Sequence, residues 1–250
     1  MSDLKDVIAI DAGNTAVKLG HFIAGKLTEV QRVSRQEFFE HPYLASTSSK
    51  QLVLSSVLDD DFTHQLKALH PTAFVVENKM HLPFDNLYEQ PEQLGLDRLC
   101  NAAFAFTSQP KKNTLVIDLG TCIKFDFMNE QGAYLGGSIS PGIRLRYASL
   151  NHYTDKLPLL DYVEHADLIG NSTRQSIHAG VLQGIQAEIQ GMMSKYDTMF
   201  SDLHVYLTGG DVDHFDFARK NNIFVDQNLT LKGLYYLYVY QTLYSSADHL

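Results

Sequence analysis

Short apolar runs alternate with polar turns along the chain, and two of these runs are near-copies of each other. Residues 7–10 and 115–117 are apolar, and each run leads into Asp-x-Gly, at Asp11 and Asp118, followed by a β-rich segment. An apolar run suits a buried strand, and the glycine lets the chain turn back antiparallel. Each copy therefore predicts a hairpin, and the domain-sized distance between the copies predicts a duplicated domain rather than a short-repeat array.

The rest of the pattern mixes strands with helices. Apolar runs predict further strands at residues 51–55, 73–76, 133–139 and 204–207. Apolar spacing of three and four residues predicts helices at residues 94–106 and 172–195, and Gly180 or Gly184 is expected to interrupt the second helix. This mixture indicates the α/β class.

The polar stretch at residues 108–113, which contains a proline, predicts a boundary between two halves. Residues 1–112 then form an N-terminal domain and residues 113–250 a C-terminal domain, with a cleft between them. The apolar tail at 229–243 is rich in tyrosines, which we expect to pack in a core or at a subunit interface. These tyrosines are Tyr235, Tyr236, Tyr238, Tyr240 and Tyr244.

Composition and charge exclude several classes of protein. With 20 Lys and Arg against 29 Asp and Glu in 250 residues, the net charge of −9 argues against a nucleic-acid-binding protein. No apolar run approaches the roughly 20 residues of a membrane-spanning helix. Cys100 and Cys122 are too few for a disulfide framework, and the polar first residues do not follow the pattern of a signal peptide. We therefore expect a cytoplasmic protein.

The turn after the first apolar run is a candidate phosphate site. Gly13, Asn14 and Thr15 offer backbone N–H groups and a hydroxyl group to a phosphate. Asp11 could bind a metal ion, and Lys18 could reach the same phosphate. The alternative is an Asx-type turn whose polar side chains only bond the backbone. The second copy of the turn favours the phosphate site, because two such turns suit a ligand with several phosphates.

A further glycine-rich turn, Thr208-Gly209-Gly210-Asp211, follows a predicted strand and offers a close approach suited to a nucleoside. The chain contains no Gly-x-x-x-x-Gly-Lys-Ser/Thr, which excludes a P-loop. It also lacks Gly-x-Gly-x-x-Gly after the first strand, which argues against a dinucleotide Rossmann site.

The segment Gly95-Leu96-Asp97-Arg98 falls at the start of a predicted helix. Asp97 could accept a hydroxyl proton, and Arg98 could bind a carboxylate or a phosphate. The alternative is that both side chains only decorate a helix end, where the helix dipole favours an acidic residue. These residues alone leave both interpretations open.

Taken in their order along the chain, the motifs resemble those of the type III pantothenate kinase family, within the acetate and sugar kinase, Hsp70 and actin superfamily. They are Asp11-Ala12-Gly13-Asn14-Thr15 with Lys18, Tyr88 with Pro91, Gly95-Leu96-Asp97-Arg98, Asp118-Leu119-Gly120-Thr121, Gly136-Gly137 with Pro141-Gly142, Ser172-Thr173 and Thr208-Gly209-Gly210-Asp211. The resemblance implies duplicated actin-like (ribonuclease H-like) α/β domains with an interdomain cleft. It also implies ATP-dependent phosphorylation of pantothenate, the first step of coenzyme A biosynthesis.

The resemblance further implies a role for each motif. ATP would be bound by Asp11, Ala12, Gly13, Asn14, Thr15, Ala16, Val17, Lys18 and Thr121. Pantothenate would be bound by Tyr88, Gly95, Leu96, Asp97, Arg98 and Thr173. Asp97 would accept the hydroxyl proton, and Asp118 would hold a monovalent cation (K⁺ or NH₄⁺) in addition to the Mg²⁺ that accompanies ATP. Members of the family are homodimers, and neither nucleic acid nor a membrane is an implied partner.

Lys124 departs from the family, whose members commonly carry small residues, often Thr, in the stretch that is Cys122-Ile123-Lys124 here. An ammonium group at this place would bring its own positive charge and replace the cation at Asp118. Alternatively, the side-chain alternation of a strand points Lys124 outward, and the sequence does not fix the register.

Two other functions compete with a pantothenate kinase. One is another small-molecule kinase of the same superfamily, and the other is a non-catalytic, ATP-binding accessory or regulatory protein. A non-catalytic protein should lack one of Asp11, Asp97 and Asp118, and all three are present.

Overall fold

The computed structural model describes residues 6–45, 50–217 and 222–247. Its strands are β1 (Val7–Ala12), β2 (Val17–Ile23), β3 (Lys26–Val33), β4 (Gln51–Ser56), β5 (Phe74–Val75), β6 (Asp85–Asn86), β7 (Thr114–Leu119), β8 (Cys122–Met128), β9 (Ala133–Pro141), β10 (His204–Thr208) and β11 (Ile223–Val225). Its α-helices are α1 (Arg35–Phe38), α2 (Pro42–Ala45), α3 (Asp60–Leu69), α4 (Leu96–Ser108), α5 (Ile143–His152), α6 (Thr173–Met199) and α7 (Leu229–Ala247). None of the helices in the described ranges combines the length and hydropathy that crossing a bilayer requires.

The first unit contains the described residues of 1–110, 132–135 and 228–250. Its sheet has the order β3-β2-β1-β4-β5, in which β1 is antiparallel to β2 and parallel to β4. The side chains from Val7 to Ile10 are completely buried, because β1 is the middle strand and both of its faces are covered. The continuous apolar run that predicted this strand therefore reflects its central position.

The last helix, α7, belongs to this first unit, whereas the boundary predicted at residue 112 assigned it to the second domain. It packs against α4 and against strands β1, β2 and β4. Tyr235 stacks on Phe22 with ring centroids 4.2 Å apart, and Tyr238 meets Phe74 edge-on at 5.5 Å. These two tyrosines therefore pack within one unit, which a linear division of the chain does not anticipate.

The second unit contains the described residues of 111–131 and 136–227. The second sheet has the order β11-β10-β7-β8-β9-β6, with β7 antiparallel to β8 and parallel to β10. The order β9-β8-β7-β10-β11 corresponds strand for strand to β3-β2-β1-β4-β5 of the first sheet. The predicted duplication is thus confirmed as a repeated topology. Strand β6 pairs in parallel with the start of β9, through residues that belong to the first unit.

Helix α6 runs without a break from Thr173 to Met199, so the interruption expected at Gly180 or Gly184 is wrong. Apolar side chains recur every fourth residue along its buried face: Ile177, Val181, Ile185 and Ile189. This row holds the helix against the core of the second unit and outweighs the roughly 1 kcal/mol by which a single glycine disfavours a helix. Ser172 caps the N-terminus of the helix, and its hydroxyl group accepts a hydrogen bond from the Gln175 backbone N–H at 3.3 Å.

Candidate active site

The first hairpin presents an open turn at residues 13–16. The Gly13 backbone N–H donates to the Ala16 carbonyl at 3.1 Å, which closes the turn. Asn14 and Thr15 at the tip are exposed. The turn thus presents an exposed tip at the place where the sequence predicts a phosphate site.

Asp11 and Lys18 lie directly opposite each other across β1 and β2. Residues directly opposite in an antiparallel pair project from the same face, so this carboxylate and this ammonium share one side of the hairpin. Ala12 and Val17 form the next pair towards the turn and are completely buried, so only their backbone groups can serve a ligand. The predicted phosphate turn therefore has one acidic and one basic side chain at its base.

The second hairpin, between β7 and β8, has a tighter turn. The Gly120 N–H donates to the Cys122 carbonyl at 3.1 Å, and Thr121 is exposed at the tip. The Thr121 carbonyl accepts a hydrogen bond from the Gly142 N–H at 3.0 Å. A Cβ atom at Gly142 would overlap the Gly120 carbonyl oxygen, so only glycine allows the 141–142 segment to support this turn.

Asp118 and Lys124 are also cross-strand partners, and here they form an ion pair. The Nζ atom of Lys124 lies 2.7 Å from Oδ2 of Asp118, and the two side chains are only 16% and 13% exposed. Lys124 therefore does not point outward, and of the two orientations that the sequence left open, the structure shows the one facing Asp118. The register decides this, because opposite residues share a face.

The predicted acceptor motif lies at the start of α4, which begins immediately after Gly95. Oδ1 of Asp97 accepts a hydrogen bond from the Arg98 backbone N–H at 2.8 Å, which fixes the carboxylate in the first turn of the helix. A Cβ atom at position 95 would lie 2.7 Å from this oxygen, so glycine leaves room for the carboxylate. Leu96 is the first residue of the helix.

Arg98 is buried, at 4% exposed, and lies against Tyr88. The guanidinium carbon is 5.4 Å from the centre of the tyrosine ring, and Nη1 is 3.5 Å from the tyrosine hydroxyl. The side-chain oxygen of Asn86 accepts a hydrogen bond from the Tyr88 backbone N–H at 3.1 Å, which holds the Tyr88 backbone in place. The structure thus brings together a cation and a phenol that are ten residues apart, next to Asp97.

Cys100 lies in α4, the helix that begins with the acceptor motif. Its side chain is completely buried, and burial raises the pKa of the thiol far above its usual value. The carboxylates of Asp11 and Asp97 raise that pKa further. Helix α4, which carries Asp97 in its first turn, packs against β4, and β4 pairs with β1, where Asp11 lies opposite Ser55. The sequence gave no reason to single out Cys100, because a lone buried cysteine resembles any other core residue.

Thr173 is found in the second unit, in the first turn of α6. It lines an open cavity of about 1000 Å³, together with Ser176, Arg146 and the apolar side chains of Leu150 and Ile177. Arg146 is oriented there by an ion pair with Glu188 and by donation from Nε to the Pro141 carbonyl at 2.8 Å. The other pantothenate residues predicted from the sequence, Tyr88 and Gly95 to Arg98, belong to the first unit.

The glycine-rich turn after β10 rests on the end of β7. Gly209 has a φ of 101°, a conformation that favours glycine, and a Cβ atom there would overlap the Leu119 backbone. The Asp211 N–H donates to the Leu119 carbonyl at 2.9 Å. Since Leu119 immediately precedes Gly120 and Thr121, this turn lies beside the turn of the second hairpin.

Asp11 and Asp118 differ in the cations that they could bind. Asp11 offers a single carboxylate, and Mg²⁺ is commonly bound by one or two carboxylates together with substrate phosphates. At Asp118 an ammonium nitrogen already lies 2.7 Å from the carboxylate, so an additional monovalent cation on that oxygen does not fit. Among the residues that the structure describes, no group of three or more His, Cys, Asp and Glu side chains is arranged to hold a metal ion.

The repeated sheet order, with a hairpin in each sheet, defines the actin-like class of α/β proteins. The ROK hexokinase from Thermus thermophilus has this fold, with a TM-score of 0.50 over 94% of this chain and 99% of its own at 12% identity. A protein assigned to the Baf family of transcriptional activators from Campylobacter jejuni matches with a TM-score of 0.64 over 94% and 98% of the two chains, at 20% identity. These likenesses confirm the predicted fold class.

The sequence model of the type III pantothenate kinase family matches residues 7–195. A type III pantothenate kinase from Christiangramia forsetii is 38% identical over 235 residues, covering 92% of this chain and 96% of its own length. The type III pantothenate kinase from Phocaeicola vulgatus is 40% identical over 230 residues, covering 91% and 95%. The chain therefore belongs to the type III pantothenate kinase family.

Proposed function

We propose that this protein transfers the γ-phosphoryl group of ATP to the primary hydroxyl group of pantothenate, the first step of coenzyme A biosynthesis. The observation that carries the proposal is the packing of α4, which has Asp97 in its first turn, against β4, the strand that pairs with β1 and lies opposite Asp11. Phosphoryl transfer needs a phosphate-binding group and a hydroxyl-orienting group near each other, because positioning supplies most of the catalysis.

The chain's own residues would then act as follows. The backbone N–H groups of residues 13–16 and the Lys18 ammonium bind the phosphates, and Thr121 contributes a further ATP contact. Asp97 accepts a hydrogen bond from the substrate hydroxyl and takes its proton. In a loose transition state this proton leaves late, so Asp97 acts first as an orienting group. When bound, Mg²⁺ would neutralise the negative charge of the phosphates, and Asp11 is the residue that would hold this ion.

Recognition of pantothenate is proposed to use the charged and phenolic groups next to Asp97. Arg98 is buried against Tyr88, and a desolvated guanidinium binds a carboxylate such as that of pantothenate more strongly than an exposed one. Thr173 is proposed as a further contact of the same substrate.

We also propose that Lys124 replaces the monovalent cation that relatives are expected to use. The partly buried ion pair with Asp118 places a permanent positive charge beside the Gly120-Thr121 turn. A covalently held charge requires no binding from solution, so the enzyme should not depend on potassium.

A homodimer is proposed from the surface of the second unit. Four large apolar side chains in the segment between α5 and α6 are more than 60% exposed: Tyr153, Leu159, Leu168 and Ile169. Apolar side chains concentrated in this way are typical of a protein interface.

The proposed location is the cytoplasm, where the free cysteines Cys100 and Cys122 stay reduced.

A coupled assay of ADP release from Mg²⁺–ATP, with and without pantothenate, tests the proposal. We expect release that depends on pantothenate. Equal release in both conditions, or release only with another alcohol such as a sugar, would contradict it and favour a different kinase of the superfamily. ATP binding without turnover would favour a regulatory protein.

A further inference from the structure

The turn of the second hairpin and the glycine-rich turn after β10 are neighbours within the second unit. The Leu119 carbonyl accepts the Asp211 N–H at 2.9 Å, and Leu119 immediately precedes the turn at Gly120 and Thr121. A nucleotide with phosphates at Thr121 would therefore extend its sugar towards the glycine-rich turn at Gly209.

Two aromatic rings lie directly beyond this turn. His214 ends the short 3₁₀-helix Val212–His214 that follows Asp211, and its Nε2 is 4.0 Å from a carboxylate oxygen of Asp211. The ring of Tyr162, from the segment between α5 and α6, lies 4.2 Å from the His214 ring, centre to centre, at a tilt of 35°. Burial raises the pKa of Tyr162, and the charges of Glu164 and Asp211 add to this. The contacts of His214 with Asp211 and with Tyr162 therefore bring the phenol ring next to the glycine-rich turn.

We propose that Tyr162 and His214 form the stacking surface for the purine base of ATP, an inference that rests on the proposed use of ATP. His214 is exposed and Tyr162 half-buried, so ring surface remains for a third planar group. Base stacking uses the flat face of the base, whichever base it is. The ring pair should therefore bind adenine and guanine nucleotides with similar affinity.

The test compares two ligands that share phosphates and differ in the base. Calorimetric titrations with ADP and with inorganic tripolyphosphate are carried out on the unmodified protein and on the Tyr162→Ala and His214→Ala variants. We expect each variant to raise the Kd of ADP by about tenfold, within the range that one aromatic stacking partner contributes. The Kd of tripolyphosphate should not change. Tyr162→Phe, which keeps the ring, should bind ADP as the unmodified protein does.

The matched control is Tyr244→Ala, which removes the tyrosine of another stacked pair, His81–Tyr244, in the first unit. It should bind both ligands normally. In kinetics, Tyr162→Ala should raise KM for ATP while kcat and KM for pantothenate stay unchanged.

Each outcome of these titrations has one meaning. Unchanged ADP binding in both variants, equal weakening of ADP and tripolyphosphate, or an unmodified protein that binds neither ligand would overturn the inference. If ADP binding depends on the ring pair but pantothenate stimulates no turnover, the stacking surface stands and the proposed function fails.

Discussion

The two hairpins of the molecule share a register and differ in their turns. In both, an aspartate lies directly opposite a lysine: Asp11 faces Lys18, and Asp118 faces Lys124. Residues 13–16 separate the last pair of the first hairpin, Ala12 and Val17, whereas residues 120–122 separate Leu119 and Ile123 in the second. The one-residue difference in spacing between the aspartate and the lysine therefore reflects turn length, and the two residues are cross-strand partners in both hairpins.

The surroundings of the two hairpins differ more than their backbones do. The first hairpin belongs to the same unit as the acceptor motif, and α4 packs against β4, the strand beside β1. The second hairpin is supported by Gly142 and by the turn at Gly209, and its own charges neutralise each other. We infer that duplication produced two equivalent hairpins. The first takes part in phosphoryl transfer, and the second in charge balance and nucleoside binding.

The largest effect should come from the acceptor motif beside the first hairpin. Asp97→Asn should reduce kcat by about 10²–10⁴-fold, the usual contribution of one acid–base group, because the amide cannot take the hydroxyl proton. ATP affinity should be nearly unchanged, since Asp97 is not in the phosphate turn. The measurement is steady-state ADP release with pantothenate, combined with calorimetric titration of ADP.

Glu92→Gln is the matched control for this variant. Glu92 is an exposed acid in the 3₁₀-helix just before the acceptor motif, and its loss should leave turnover unchanged. An Asp97→Asn protein with near-normal kcat would exclude Asp97 as the proton acceptor.

The hairpins were predictable from the sequence because their signals are local. An apolar run followed by Asp-x-Gly specifies strand and turn within about ten residues. The position of α7 was not predictable in this way. It packs against α4, and more than 100 residues of sequence separate α4 (Leu96–Ser108) from α7 (Leu229–Ala247). The continuity of α6 was misjudged because glycine propensity is a weak signal compared with a long buried row of apolar side chains.

Within the site, motifs with charged groups were found and apolar or aromatic contributors were missed. Asp97 and Arg98 stood out through their neighbouring charges, and the resemblance added Tyr88. Cys100 and Tyr162 carry no sequence signal that distinguishes them from core residues. The orientation of Lys124 required the cross-strand register, which one strand's sequence does not contain.

A smaller effect should follow from removing the basic group of the first hairpin. Lys18→Ala should lower kcat/KM for ATP by about 10–100-fold, the range expected when one charged hydrogen-bonding partner of a phosphate is lost. KM for pantothenate should stay close to normal. The Lys18→Arg variant, which keeps the charge, should retain most of the activity. If Lys18→Ala binds and uses ATP normally, the first hairpin does not bind phosphate through this side chain.

The variant with the smallest expected effect in ordinary buffer changes Lys124. It is also the sharpest test of the difference between the two hairpins. The unmodified enzyme should be equally active in sodium and in potassium, because the Lys124 ammonium already compensates Asp118. In Lys124→Ala the carboxylate loses that partner, and we expect activity in sodium to fall by about tenfold, equivalent to roughly 1.4 kcal/mol. Potassium or ammonium should restore it by binding at Asp118.

The ratio of activity in potassium to activity in sodium separates this role from simple structural damage. A variant that is only less stable loses activity equally in both salts, so its ratio stays at the value of the unmodified enzyme. Lys124→Arg retains a cation opposite Asp118 and should also keep that ratio, whereas Lys18→Ala in the first hairpin should lose activity without gaining any response to potassium. Strong activation of the unmodified enzyme by potassium would contradict the replacement, because it would show that a cation from solution still serves this hairpin despite the ion pair.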